Sequence, residues 1–182
     1  MELNELLDQF NNKFENQRDK GSAFEDLIAK YLQLDPLYSN DISEVWKWSD
    51  FPYRGSVGDT GIDLVAKTYM GEFWAIQCKF YSENTSISKG DVDTFLSTSS
   101  KYFYVDGKQT KFAHRFFVST TDSFSKNAED VLRNQDPPVS RIGMEELLNS
   151  PIDWEKFVLN DTLALKDKYG LRPHQREPLM MF

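Results

Sequence analysis

A chain of 182 residues with 40% apolar and 14% aromatic content is long enough for one domain with a substantial core. Lys and Arg number 21 against 29 Asp and Glu, a formal charge of −8, which argues against strong DNA binding by the chain alone, because Lys and Arg drive that binding by neutralising phosphates. The single cysteine, Cys78, excludes an internal disulfide and a thiolate zinc cluster, and the sequence has neither a signal-peptide pattern nor a membrane-length apolar run, so a cytoplasmic protein is expected.

Residues 2–18 carry Leu3, Leu6, Leu7, Phe10 and Phe14 at helical spacing. They predict a first helix, docked on the core or on a partner domain and ending at Asp19-Lys20-Gly21. Residues 21–34 predict an amphipathic helix with Phe24, Leu27, Ile28, Tyr31, Leu32 and Leu34 on its apolar face. Ser22 and Glu25 have the spacing of a capping box, so Glu25 is either a helix cap or a site-facing carboxylate. Asp35-Pro36 breaks the pattern. Residues 42–48 predict a strand or an irregular approach, with Trp46 and Trp48 alternating around Lys47. Residues 49–61 form a turn-rich loop holding Tyr53, Arg54 and Asp59. Two strands follow over 62–68 and 72–80, then a helix from Ser88-Lys89-Gly90-Asp91 to about Tyr102 and a buried strand over 113–120. A helix over 125–133, a short strand over 139–142 after Pro137-Pro138 and a brief helix over 144–148 complete a three-layer α/β pattern. Residues 151–182 read as a connector.

The hairpin carries the chemistry. Tyr69-Met70-Gly71 suits a three-residue turn with a left-handed position at the glycine. Pairing Thr68 with Glu72 sets Asp63 opposite Gln77, and the period of two adds Lys79 to their face. Ile62, Leu64, Ala66, Trp74, Ile76, Cys78 and Phe80 then make a dry opposite face. An ordinary exposed sheet face would also accommodate an Asp, a Gln and a Lys. The functional alternative is a divalent-cation site. Asp63, the amide oxygen of Gln77 and the backbone carbonyl of Cys78 are oxygen donors of the kind magnesium takes, with water and phosphate completing the shell. Lys79 would offset charge developing on a phosphate or orient an attacking water. Asp59 either lines that site or shapes the Gly-rich turn. His114 and His174 lie far apart without a motif, and a Ser-His-Asp triad has no support.

Gly58–Ala66, Gln77-Cys78-Lys79 and Thr120–Ala128, taken in order, resemble the Mrr-like restriction endonuclease domain of the PD-(D/E)xK nuclease superfamily. The resemblance runs from about Gly21 to Leu148. It implies a restriction-endonuclease-like fold, a central mixed sheet flanked by helices, and Mg2+-dependent cleavage of double-stranded DNA. By that resemblance Asp63 is the metal-binding aspartate, Gln77 replaces the usual second acid, Lys79 is the motif lysine and Glu25 is the glutamate of the first core helix. The common Pro-Asp is here Ile62-Asp63, and Gln77 leaves fewer charges for metals, so one metal is expected rather than two.

Tyr53, Arg54 and Lys89 are candidate DNA contacts, and Lys89, Lys101, Lys108, Lys111, Arg115 and Lys126 are candidates for a positive rim. Leu171-Arg172-Pro173-His174-Gln175 resembles the stretch before the first ATPase motif of superfamily 2 helicases, yet no Gly-x-x-x-x-Gly-Lys-Ser/Thr follows. That resemblance implies an N-terminal nuclease (21–150, after a helical extension at 1–20) followed by helicase-like, methyltransferase and target-recognition parts of a single-polypeptide type I-like enzyme. ATP and S-adenosylmethionine would enter only through those parts, and an encounter of two nuclease domains during cleavage is open. The alternatives are a catalytically inactive nuclease-like module that binds DNA or couples other domains, and an enzyme acting on RNA.

Overall fold

The structure, a computed structural model, describes residues 2–55, 61–82, 84–156 and 164–166. Helix α1 spans Glu2–Lys13 and α2 spans Gln17–Leu34. The break between them lies before Asn16 rather than at Asp19-Lys20-Gly21. Asn16 caps α2, its side-chain oxygen accepting from the Asp19 N–H at 2.8 Å. Ser22 is therefore inside the helix, and the capping-box reading of Glu25 is overturned. A short α3 (Pro36–Ser39) follows, capped by Asp35, whose carboxylate accepts from the Leu37 N–H at 2.9 Å and the buried Ser150 hydroxyl at 2.7 Å.

The remaining elements are β1 (Ile42–Lys47), β2 (Leu64–Thr68), β3 (Phe73–Lys79), α4 (Lys89–Ser99), β4 (Phe103–Val105), β5 (Lys108–Thr110), β6 (His114–Ser119), α5 (Lys126–Leu132), β7 (Val139–Ile142) and α6 (Met144–Leu148). The main sheet has the order β1-β2-β3-β6-β7, antiparallel from β1 to β3 and parallel from β3 through β6 to β7. The β2–β3 register is the one the turn dictates. Leu64 faces Ile76 and Ala66 faces Trp74, the Thr68 N–H donates to the Glu72 carbonyl at 2.8 Å, and Gly71 has φ +87°. Helix α4 ends at Ser99, short of Tyr102. The residues after it form the separate β4–β5 hairpin, turning on Asp106 and Gly107 at φ 51° and 82°.

The mixed sheet is covered on both sides, which gives three layers. Leu64, Ala66, Ile76, Phe80, Phe116 and Val118 pack against Phe24, Leu27 and Ile28 of α2 and Leu3 and Leu6 of α1, and Ile152 and Trp154 join them. Ile62, Val65, Phe73, Ala75 and Phe117 pack with Val92 and Phe95 of α4 and Leu132 of α5. Each such fully buried side chain contributes about 1.5–3 kcal/mol. Among the described residues no helix is long and apolar enough to cross a membrane.

Candidate active site

Ile62 and Leu64 are two residues apart, so strict alternation would put them on one face. They lie in opposite cores, Ile62 on the α4 side and Leu64 on the α2 side. A bulge at Asp63 causes the switch: the Asp63 N–H donates to the Ile76 carbonyl at 2.9 Å, while Leu64 already faces Ile76. Two residues of β2 thus oppose one of β3. The expected dry face containing Ile62 is corrected accordingly, as is the expected wet face, since Gln77 is only 5% exposed.

Gly61 brings the chain into this bulge. A Cβ there would lie 2.8 Å from the Phe95 backbone nitrogen of α4, so only glycine admits the approach. On the other side, the Asp63 carbonyl accepts from the Trp48 N–H at 2.9 Å, and Asp63 Oδ2 accepts from the Cys78 N–H at 2.7 Å. The carboxylate therefore takes a ladder position that a β2 carbonyl would otherwise fill, in the plane of the sheet and beside β3.

Glu25 of α2 meets Asp63 there. Burial first, then repulsion from Asp63, raise the Glu25 carboxyl to about 7 against the opposing charge of Lys47. Lys47 joins the site although no motif in the sequence marks it. It ends β1 opposite Leu64, and its ammonium is 2.8 Å from Asp26 Oδ1 and 3.3 Å from Ser22 Oγ of α2. Its alternation between Trp46 and Trp48 was the available signal. The Cys78 thiol is pushed up by burial and then by Asp63 and Glu25, which makes it a poor nucleophile.

Gln77 and Lys79 follow Phe73 and Ala75 on the α4 side of β3 by the period of two. The Gln77 Oε1 is buried and has no hydrogen-bond partner among the described residues. The Lys79 carbonyl accepts from the Thr120 N–H at 3.1 Å, and the Lys79 charge helps hold Asp91 below the usual carboxylate range, alongside larger contributions from hydrogen bonds with Ser88 and Tyr81. The structure thus joins Asp63 to Glu25 and to the Cys78 backbone, with Gln77 and Lys79 flanking Cys78 on the other face of the same strand end.

Among the described residues no group of three His, Cys, Asp or Glu side chains converges on a metal position. The oxygen donors at this strand end are instead two carboxylates and a backbone carbonyl on one side of β3 and an orphaned amide oxygen on the other. All are hard oxygen ligands and fit a cation that keeps several waters, as magnesium does. The crowded carboxylates are the observation that favours this fit. Asp59 lies outside the described residues, as does Gln175.

Of the candidate DNA contacts, Tyr53 packs edge-on against Phe51 and Phe73, Arg54 Nε donates to the Ser49 carbonyl at 3.2 Å, and Lys89 pairs with Asp93 at 2.8 Å. Arg115 is not part of a positive rim, because it is 0% exposed.

A family model described as restriction endonuclease (Mrr_cat_2) matches residues 33–164. Among solved structures the chain is similar to the ATP-dependent type ISP restriction-modification enzyme LlaBIII bound to DNA, with TM-score 0.68 and 29% identity over 93% of this chain and 10% of that chain. It is also similar to the DNA modification-dependent restriction endonuclease AspBHI, with TM-score 0.48 and 13% identity over 81% of this chain and 34% of that chain. MspJI restriction endonuclease in complex with a 27-mer oligonucleotide gives TM-score 0.43 and 18% identity over 78% of this chain and 29% of that chain. The chain thus spans about a tenth of the LlaBIII chain. No curated protein matches it.

Proposed function

This chain belongs to the Mrr-like restriction endonuclease family, and from that premise we propose that it is a Mg2+-dependent endonuclease domain acting on double-stranded DNA. The observation that carries the reading is the meeting of Glu25 and Asp63 at the β3 margin. Like charges held together at a structural cost are characteristic of functional sites. Asp63, Glu25 and the Cys78 carbonyl would hold the cation from the α2 side of the strand end, with Gln77 as a further candidate donor on the opposite face and Asp59 as a supporting candidate. When bound, the cation supplies Lewis-acid polarisation of the phosphate. Lys79 would offset charge developing on the phosphoryl oxygens or orient the attacking water. The Cys78 N–H fixes the Asp63 carboxylate so that it does not swing into solvent.

The proposal extends to organisation. Residues 21–150 are the nuclease body, 1–20 a helical extension and 151–182 the connector to helicase-like, methyltransferase and target-recognition parts of a translocating restriction-modification polypeptide. Tethering by those parts raises the local DNA concentration that a domain of charge −8 does not gather alone. Tyr53, Arg54 and Lys89 are proposed DNA contacts.

The test is cleavage of supercoiled plasmid by this chain and by the larger polypeptide, with and without Mg2+ and ATP. Asp63→Ala or Lys79→Ala in the larger polypeptide is expected to reduce Mg2+-dependent cutting by about 1,000-fold, the scale of losing one transition-state contact of this kind. Unaltered cutting by folded variants refutes the site. Duplex binding with no metal-dependent cutting by the wild-type polypeptide favours an inactive coupling module instead.

A further inference from the structure

The β4–β5 hairpin stands outside the main sheet and has a composition unlike the rest of the chain. Residues 101–111 carry Lys101, Lys108 and Lys111 against the single acid Asp106, in a protein whose formal charge is −8. None of these three lysines forms an ion pair among the described residues; Lys111 instead lies 5.4 Å from the Tyr102 ring centre. Tyr102 and Tyr104 are 58% and 60% exposed, which leaves two rings open to a stacking partner. Phe103 beside them is anchored inward, against Phe112 at 4.8 Å and Phe51 at 5.5 Å, so the exposed rings stand on a packed base.

Between this hairpin and the loop after β1 is a cavity of about 360 Å3. Trp48, Tyr53, Tyr102 and Tyr104 supply aromatic walls, and Lys101 and Arg54 stand at its edge. Ile62 reaches its lining from the α4 side of the bulge, one residue from Asp63.

We propose that the hairpin and this cavity bind single-stranded DNA, with one unstacked base seated among the aromatic walls and the lysines tracking the backbone. Base faces stack on aromatic rings without regard to sequence, and adjacent cations supply the phosphate term. A recessed cavity favours a single strand over a duplex, whose bases are already stacked and must be flipped out at a cost of a few kcal/mol. The charge complementarity sets DNA above a protein segment as occupant.

The test is fluorescence anisotropy of the chain with a labelled oligothymidylate and with a duplex of equal length, at low salt and in EDTA. Without metal no cutting occurs, so the result is independent of the nuclease reading. The single strand is expected to bind more tightly than the duplex. Tyr102→Ala with Tyr104→Ala is expected to weaken it about tenfold, and Lys101→Gln with Lys108→Gln and Lys111→Gln to reduce the salt slope by about 2. Circular dichroism and melting verify folding, and Lys101→Gln alone, at an exposed position, serves if the combined variants unfold. No binding by the wild type, equal affinity for duplex, or unchanged affinity and slope in the folded variants overturns the proposal. Self-association of the chain that the same tyrosine substitutions abolish, with DNA affinity unchanged, also overturns it, in favour of a protein-docking surface.

Discussion

Arg115 and the Glu25–Asp63 pair are both ionisable groups withdrawn from water, one on β6 and the other at the margin of β3. Arg115 is 0% exposed and is enclosed by oxygen acceptors: Pro137 O at 2.6 Å, Gln135 Oε1 and Ser100 Oγ at 3.0 Å, Ser99 Oγ at 3.1 Å and Leu96 O at 3.3 Å. These acceptors come from α4 and from the chain between α5 and β7, so the guanidinium links the α4 layer to the sheet. Burial lowers its pKa, and Asp136 opposes that. At the β3 margin the arrangement is reversed. Two acids face each other, and across the same strand end the Gln77 oxygen has no donor among the described residues. A guanidinium whose two terminal nitrogens meet protein oxygens, with only Nε unpartnered among the described residues, reads as a structural charge, whereas two acids crowded together read as a site prepared for something to bind.

Substituting Arg115→Met tests the first half of this contrast and should have the largest effect. It strands the acceptors in the interior, and a loss of roughly 3–5 kcal/mol is expected by urea unfolding. A loss under about 1 kcal/mol would mean that the cluster does not hold the layers together.

Asp63→Asn should act in the opposite direction. The amide oxygen can still accept from the Cys78 N–H, while the repulsion on Glu25 disappears. Metal-free melting at pH 8 should rise by a few degrees, corresponding to about 1 kcal/mol, while cleavage is lost. A fall in melting temperature would show that the pair is not under electrostatic strain.

The same strain fixes a pH dependence. The folded Glu25 carboxyl titrates near 7 instead of near its ordinary 4.5, so between those values the folded chain holds a proton that the unfolded chain has released. Stability therefore falls as pH rises through that window and levels off above it. In EDTA, the pH 5 to 8 decline in melting temperature should be shallower for Glu25→Gln than for wild type. Parallel curves would remove Glu25 as the titrating group.

Gln77→Met is the gentlest probe. It removes a buried oxygen that lacks a donor and should change metal-free stability by under about 1 kcal/mol, in the stabilising direction, while reducing the effect of Mg2+. A marked destabilisation would show that the amide has a structural partner.

The frame of this site was legible before its geometry. Gly71 and the turn it closes fixed the β2–β3 register, because a three-residue connection with a left-handed last position leaves few pairings. The identities of Asp63, Gln77 and Lys79 as candidates followed from that register. Their faces did not, because a one-residue bulge reverses alternation. Its only trace in the sequence is Gly61, needed for close approach to α4. The start of α2 was hidden because Gln17 to Lys20 are polar and add nothing to the apolar period, so Ser22 was a plausible cap until Asn16 proved to be the actual one. The β4–β5 hairpin was signalled by Asp106-Gly107 between aromatic and β-branched residues, but strands of three residues are too short to show a period, and no element was expected between Tyr102 and Ala113.

The most direct measurement is calorimetric titration of Mg2+ into the metal-free chain at pH 8, beside Asp63→Asn. The wild type should show saturable binding with a stoichiometry near one and a matching rise in melting temperature, and Asp63→Asn should show neither. Equal Mg2+ binding by the two proteins would contradict a cation site built on Asp63 and Glu25.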